Sequence, residues 1–280
     1  MIDLHTHSSM SDGTYTPEAL VDLALETGLG ALALTDHDSL AGIDRAAARA
    51  RGTRLALVPG VELEIACDSG EFHLLGLGLD GDRGGLEEAL EQVRRDRHER
   101  NVRMAARLAA AGIPVTLEEL AAVSGGGVVS RAHFARLMVQ KGVVKRTDDA
   151  FSRYIGKGRP FYEPRRTLAL AEAVRLVSRA GGVAVVAHPL SLGLAGAALR
   201  QYLAHARDAG VAGIEAWHPK AAVRDCRRLE RLAGSLGLAA TAGSDFHGLN
   251  VPQRRLGHTA GGLAIDDRYL SVLRLKAVSA

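Results

Sequence analysis

The sequence predicts an α/β protein: a distorted seven-stranded (βα)7 barrel with a helical insert. Three observations carry this. Short apolar runs alternate with amphipathic helical stretches. Nearly every apolar run ends in His, Asp or Glu, as in barrels whose chemistry collects at the C-terminal ends of parallel strands. Between about residues 86 and 165 the alternation stops and only helical patterns remain.

Ile2, Asp3 and Leu4 read as a first buried strand, followed by His5 and His7. Thr16-Pro17-Glu18 opens a helix with an N-cap Thr, Pro at the first helical position and an acid in the first turn; Gly28 ends it. Ala31 to Thr35 is continuously apolar up to its last residue, the mark of a strand buried on both faces, and runs into Asp36-His37-Asp38. Ile43 to Arg51 is helical. Leu55 to Pro59 is a third strand, leading to Gly60-Val61-Glu62-Leu63-Glu64, and Glu71 to Gly76 is a fourth.

The insert begins with one long charged helix from about Leu86 to Ala110. Pro114 to Ala122, Ser130 to Gln140 and Asp148 to Gly158 read as further helices, with Gly125-Gly126-Gly127 as a joint. The barrel rhythm then resumes. Leu168 to Ala180, Gly196 to Ala209 and Ala221 to Leu236 are helical. Strands at Gly182–Ala187, Gly213–Trp217 and Ala239–Ala242 end in His188-Pro189, His218-Pro219 and Gly243-Ser244-Asp245-Phe246-His247. Residues 1–85 and 166–280 are thus assigned to the barrel, and 86–165 to an insert expected to sit as a lid on its mouth. Little can be read from the tail after Gly261.

His5 and His7, two residues apart on an extended strand, point to one face, which suits a divalent transition metal. His37, Glu62, His73, His188, Asp245 and His247 repeat the pattern, each expected at or just past a strand's C-terminal end; Asp12 lies in a turn able to fold back. Each has a bland reading as a loop, turn or core residue. Together they take up most of the chain's 11 histidines. A single zinc takes about four ligands, so this set implies two or three metals with Glu62 as a bridge. Closely spaced divalent metals make hydroxide from water at neutral pH and clamp the oxygens of a phosphoryl transfer.

His5-Thr-His7, Thr35-Asp36-His37, Val61-Glu62, Phe72-His73, Ala187-His188-Pro189 and Gly243-Ser-Asp245-Phe-His247 resemble, in order, the motifs of the PHP (polymerase and histidinol phosphatase) family. The resemblance implies a trinuclear site, with manganese, zinc or iron. It groups His5, His7, Glu62 and Asp245 on one metal, Glu62, His73 and His188 on a second, and Asp12, His37 and His247 on a third. Many members have a histidine where this chain has Asp12. Val129-Ser130-Arg131-Ala132-His133-Phe134-Ala135-Arg136, with Phe151, Tyr154 and Gly156-Lys157-Gly158, resembles the subgroup that removes the 3′-phosphate from nucleoside 3′,5′-bisphosphates. Close relatives of that subgroup trim 5′-phosphorylated RNA from the 5′ end. The implied mechanism is in-line attack on phosphorus by a metal-bridging hydroxide. Arg131 and His133 would then hold phosphate, Lys157 add a flexible positive charge, and His218 or His133 act as phosphate contact or general acid.

Rivals remain at this stage. One is another phosphoesterase of the family, acting on histidinol phosphate or proofreading for a polymerase. A second is a metal-dependent amide or deaminating hydrolase, against which stands Glu62 in the bridging place, where such enzymes commonly use a carboxylated lysine. A third is a ligand-sensing barrel. Composition limits the field. Hydrophobic residues make up 47% and charged residues 24% of the chain, which excludes a disordered protein. Two cysteines without a CxxC pair exclude a disulfide scaffold and a structural zinc finger. The net charge of +3 is too small for a dedicated nucleic-acid coat, so no stable DNA complex is expected; a nucleotide or short RNA as partner is what the resemblance implies. The Arg-rich stretch from Arg94 to Arg107 either favours a longer strand or is simply solvated. A first strand at residue 2 leaves no room for a signal peptide and no apolar run is long enough to span a bilayer, so a cytoplasmic protein with no membrane contact is expected. Oligomeric state stays open.

Overall fold

The structure, a computed structural model, describes residues 1–67, 72–124, 128–164 and 167–278. The chain divides into two compact units, Met1–Leu90 with Thr167–Ala280, and Glu91–Arg166. The first is a nearly closed barrel of seven strands in sequence order: β1 (Ile2–Asp3), β2 (Ala31–Leu34), β3 (Ala56–Glu64), β4 (His73–Leu77), β5 (Val183–Val186), β6 (Gly213–Trp217) and β7 (Ala239–Ala242). Helices α1 (Pro17–Glu26), α2 (Ile43–Ala50), α7 (Leu170–Arg179), α8 (Gly196–Asp208) and α9 (Val223–Ser235) connect them. Thr16 caps α1 through its side chain, and apolar β2 and β5 are buried throughout, as both-face burial requires.

Two sequence expectations are corrected. β3 is nine residues long and carries Glu62 inside it, not beyond its end. β4 pairs antiparallel with both β3 and β5, whereas the remaining neighbours are parallel. The reason is the short connection from Ile65 to Phe72, closed by Ile65 N–H donating to the Phe72 carbonyl at 2.8 Å. A parallel return needs a crossover of a dozen residues or more. His73 therefore opens its strand, and the reversed direction still brings it to the end of the barrel where the other strands finish. Glu71, expected to start this strand, lies outside the described residues.

The last gap is closed beyond the strand ends. Thr6 bridges Phe246 in parallel, and His7 N–H donates to the Phe246 carbonyl at 2.9 Å. Asp3, fully buried, clasps the same seam: its carboxylate accepts from His5 N–H at 3.3 Å, Ser244 N–H at 2.9 Å and Gly257 N–H at 2.8 Å. The tail, unreadable in sequence, returns to this edge, with Ile2 N–H donating to the Ile265 carbonyl at 3.0 Å.

The second unit holds most of α3 (Gly84–Ala110), with α4 (Leu117–Val123), α5 (Arg131–Gln140) and α6 (Thr147–Ala150), the last continuing into a π-helical turn over Phe151–Ile155. The helix expected to run to Gly158 thus ends before Gly156. Its core is Met104, Leu108, Leu120, Phe134, Met138 and Ile155. Thr116 and Glu119 form a capping box that starts α4. The expected joint at Gly125–Gly127 and the insert's last residue, Arg165, lie outside the described residues. Among the described residues no helix is long and apolar enough to cross a membrane.

Asp3→Ala orphans three buried backbone donors, and we expect it to cost about 3 kcal/mol near neutral pH. Burial pushes the Asp3 carboxyl up to about 6 despite hydrogen bonds from Ser244 and Gly257, above its ordinary value of 3.8. Its stabilising contribution is therefore complete below about pH 4 and falls as the pH rises through 6. Urea melts should show a wild-type to Asp3→Ala difference that is larger at pH 5 than at pH 7.5; a constant or reversed difference would contradict the clasp.

Candidate metal centre

The two histidines after β1 share a face because Thr6 between them turns the other way, its hydroxyl donating to the Ala33 carbonyl. Asp12 is carried back over the barrel end by a loop pinned on Asp36. That buried carboxylate accepts from Ser8 N–H at 2.8 Å, Ser8 Oγ at 2.7 Å and Ser11 Oγ at 2.6 Å. His37 follows β2 and bridges Glu62 of β3 in parallel register.

Glu62 is the centre of the constellation. Its Oε1 lies 2.8 Å from His73 Nδ1 and 2.9 Å from His188 Nε2. Its Oε2 lies 3.2 Å from His5 Nε2, 3.2 Å from His7 Nε2 and 3.1 Å from His37 Nδ1. Asp245 Oδ1 adds a second carboxylate 3.5 Å from His5 Nε2 and 3.2 Å from His7 Nε2. On the far side His247 Nε2 is 3.2 Å from Asp12 Oδ1, and His37 Nε2 is 3.8 Å from Asp12 Oδ2. Three groups have ligand atoms within 4.8 Å of one another: His5, His7, Glu62 and Asp245; His37, Glu62 and His73; and His7, Asp12, His37 and His247.

The outer hydrogen bonds decide which imidazole nitrogens carry lone pairs. His5 Nδ1 faces Glu215 Oε1 at 3.0 Å, a pure acceptor, so Nδ1 keeps its proton, and Nε2 is the inward nitrogen that presents a lone pair once the second proton is displaced. Ser191 Oγ donates to the His188 carbonyl and accepts from His188 Nδ1 at 2.9 Å, leaving His188 Nε2 bare. His247 Nδ1 donates to the Asp245 carbonyl at 2.7 Å, leaving its Nε2 bare beside Asp12. Bare nitrogens thus face carboxylate oxygens at about hydrogen-bond distance. His5 Nε2, both His7 nitrogens and Glu62 Oε2 are buried with no hydrogen-bond partner among the described residues. Acceptors meeting acceptors need a shared cation, protons or metal ions, and imidazole with carboxylate is the donor set of a divalent transition metal. The residues fit the metals that the sequence implied.

The PHP domain model matches residues 3–157. The 5′-3′ exoribonuclease Rnm of Escherichia coli is 36% identical over 88% of this chain and 84% of its own length. A 3′,5′-nucleoside bisphosphate phosphatase of Chromobacterium violaceum is 35% identical over 92% and 91%. The crystal structure of a metal-dependent phosphoesterase from Bifidobacterium adolescentis superposes with a TM-score of 0.81 at 29% identity, covering 98% and 96% of the two chains. The chain belongs to the PHP family. As a PHP enzyme it is a metal-dependent hydrolase of phosphoester bonds.

The PHP site is strongly polarised. Burial works against charge on His5, but Glu215, Glu62 and Asp245 together hold its pKa well above the usual imidazole range. Against the same burial, the Asp245 and Glu62 carboxylates 3.2 Å away hold His7 up at about 10. Burial also opposes charge on Glu62, yet His37, His5 and His73 keep it well below the carboxylate range. His37, where burial prevails over Glu62 and Asp12, falls to about 4. His188 and Asp245 sit at φ of 26° and 51°, in the left-handed region that non-glycine residues rarely occupy. Such strain gathers at functional sites.

His218 joins the cluster: its Nε2 is 3.0 Å from Asp245 Oδ2, and its Nδ1 accepts from Lys220 N–H at 3.2 Å. Its one proton is therefore on Nε2. The other three expected substrate residues belong to the helical unit. His133 Nδ1 accepts from Ser130 N–H at 2.9 Å at the start of α5, so its Nε2 is the donor. Arg131 lies 6.0 Å from the Phe151 ring and 5.5 Å from the Tyr162 ring. Lys157 precedes Gly158 in the turn after the π helix. In the Arg94–Arg107 stretch, Arg97 and Arg100 are buried, so that stretch is not simply a solvated face.

Sequence reasoning missed Glu215 and Arg254. Glu215 orients His5 and also accepts His188 N–H at 2.8 Å. A carboxylate inside the wholly buried run Gly213–Trp217 was the available signal. Arg254, buried in the tail, pairs with Asp245 Oδ2 at 2.6 Å and donates to the Asp245 carbonyl. Nothing in its Pro-Gln-Arg-Arg context marks it.

Protons and metals compete for His5 and His7, so metal uptake releases protons. Manganese titrations in buffers of different ionisation enthalpy should reveal net proton release and an apparent affinity that climbs from pH 6 to 8; a pH-independent affinity would contradict this polarisation. Glu215→Gln removes the charge that orients His5. We expect manganese affinity to drop about 10- to 100-fold with the fold retained, as read by calorimetry beside circular dichroism.

Proposed function

We propose that this enzyme removes the 3′-phosphate from nucleoside 3′,5′-bisphosphates and trims 5′-phosphorylated RNA in the 5′→3′ direction, using two or three divalent metals, manganese foremost. The observation that carries the reading is the convergence of five imidazoles on Glu62 in a chain so similar to enzymes named for these two substrates. His5, His7, Glu62 and Asp245 would hold one metal, Glu62, His73 and His188 a second, and Asp12, His37 and His247 a third. When bound, such metals supply Lewis acidity and lower the pKa of water.

The chain's own residues do the rest. Glu215, Ser191 and the Asp245 carbonyl fix the inward lone pairs before substrate arrives. Arg131 offers a two-pronged guanidinium to phosphate, with the Phe151 and Tyr162 rings limiting its swing. His133 contributes its Nε2–H and Lys157 a mobile charge. His218 holds its single proton at Nε2, against Asp245, and offers it to the leaving oxygen.

The test is phosphate release from adenosine 3′,5′-bisphosphate, with histidinol phosphate and a short 5′-phosphorylated RNA alongside. With manganese the bisphosphate should be hydrolysed, and EDTA should abolish release. Arg131→Ala should raise KM for the bisphosphate about tenfold with less change in kcat. Faster turnover of histidinol phosphate would move the enzyme to another branch of the family. No release from any of the three by metal-loaded protein would end this reading.

A further inference from the structure

Outside the metal centre, an open groove between α8 and α9 of the barrel unit gathers three arginines. Arg200 of α8 and Arg228 and Arg231 of α9 line it, over a floor of Leu199 and Leu232, with Ser235 at one edge. All three arginines are exposed, and no carboxylate lines the groove. Arg231 has no ion-pair partner among the described residues. Arg228 has only a long contact to Asp225 at 3.6 Å, and Arg200 spends one N–H on Ser235 Oγ at 2.8 Å.

The arginines of α9 form a ladder. Arg224, Arg228 and Arg231 fall at i, i+4 and i+7, on one helix face over about 10 Å of axis. Arg224 stands in the first turn with its side chain 88% exposed. That first turn begins five residues after His218. The ladder therefore starts at the end of the barrel where the metal ligands gather and leads away from it. A single nucleotide has no use for charge laid out in this direction. A strand held by its 5′ end would run its downstream phosphates along it.

We infer that the α8–α9 groove is a track for the body of a single-stranded 5′-phosphorylated RNA whose first nucleotide occupies the metal centre; this rests on the proposed function. Arg224, Arg228, Arg231 and Arg200 contact successive phosphodiesters, and Leu199 and Leu232 offer apolar surface to a ribose or base. Grooves for single strands combine these two features, a positive lining and a sequence-tolerant surface. The track sets the preference for strands over free nucleotides without touching the chemistry.

The experiment uses manganese-loaded full-length enzyme and compares wild type with the double variants Arg228→Glu/Arg231→Glu and Arg228→Lys/Arg231→Lys. Substrates are adenosine 3′,5′-bisphosphate, a 5′-phosphorylated dinucleotide and a 5′-phosphorylated 12-mer RNA. With the Glu pair we expect KM for the 12-mer to rise at least tenfold, with the dinucleotide and bisphosphate within twofold of wild type. The salt dependence of log kcat/KM for the 12-mer should flatten by about 1.4, the loss of two single-strand phosphate contacts. The Lys pair, which keeps the charge, should stay within threefold of wild type. Unchanged 12-mer kinetics in the Glu pair overturn the track while the phosphatase reading stands. So does a wild type that hydrolyses the bisphosphate but no RNA. A wild type that hydrolyses neither overturns both.

Discussion

Everything at the barrel mouth depends on keeping one carboxylate, Glu62, ionised where water cannot reach it. Burying an isolated carboxylate is costly, and the usual escape is protonation. Five imidazoles prevent that here, three on one oxygen and two on the other. They come from the ends of four different strands, so the barrel has to be rigid before the charge can be tolerated. β3 supplies the rigidity at the centre, because Glu62 is paired on both sides, to His37 beyond β2 and to Leu75 of β4. A shift of one residue in β3 would turn Glu62 to the opposite face and leave the imidazoles with nothing between them.

A second layer gives the centre its polarity. Acceptors stand outside the ring, proton-bearing nitrogens face them, and lone pairs are left inside. Asp245 does most of this alone. Its Oδ1 faces His5 and His7, its Oδ2 takes His218 and Arg254, and its backbone carbonyl takes His247. An extended backbone could not aim the carbonyl and the side chain at the same cluster, and a φ of 51° does. Asp is among the few side chains that occupy that region at modest cost. Arg254 offsets the charge that Asp245 brings, which is why a tail loop with no ligand of its own ends buried beside the metal centre.

What was legible in the sequence was whatever depends on local pattern. Periodicity marked the seven strands and the helices that connect them, and the His-x-His spacing marked the shared face of His5 and His7. Strand direction is not a local property, so β4 was read without its reversal, although the few residues between Ile65 and Phe72 were too short for a parallel return. The end of β3 was set too early, at Pro59, before Gly60. In the fold it lies against Thr35 and the Gly76 carbonyl with no room for a side chain, an approach that only tertiary packing reveals. Asp3 and Glu215 were hidden for a related reason. A carboxylate in an apolar strand looks like an interruption until the backbone amides or imidazoles it serves are brought over from more than 200 residues away.

The topology that gathers the ligands also fixes where charged helix surfaces can begin. In a βα barrel each strand delivers its last residues to the mouth, and the following helix departs from there. β6 does both within a short span: His218 stays with Asp245, and α9 starts a few residues later with arginines along one face. Chemistry and substrate length are thereby handled by adjacent parts of one βα unit that share no side chain. The metal centre sees only the phosphate being cleaved, so its ligands carry no information about what the phosphate is attached to. Discrimination between a free nucleotide and a strand has to come from surfaces that a single nucleotide cannot reach. The outer faces of α8 and α9 have that position and the right sign of charge.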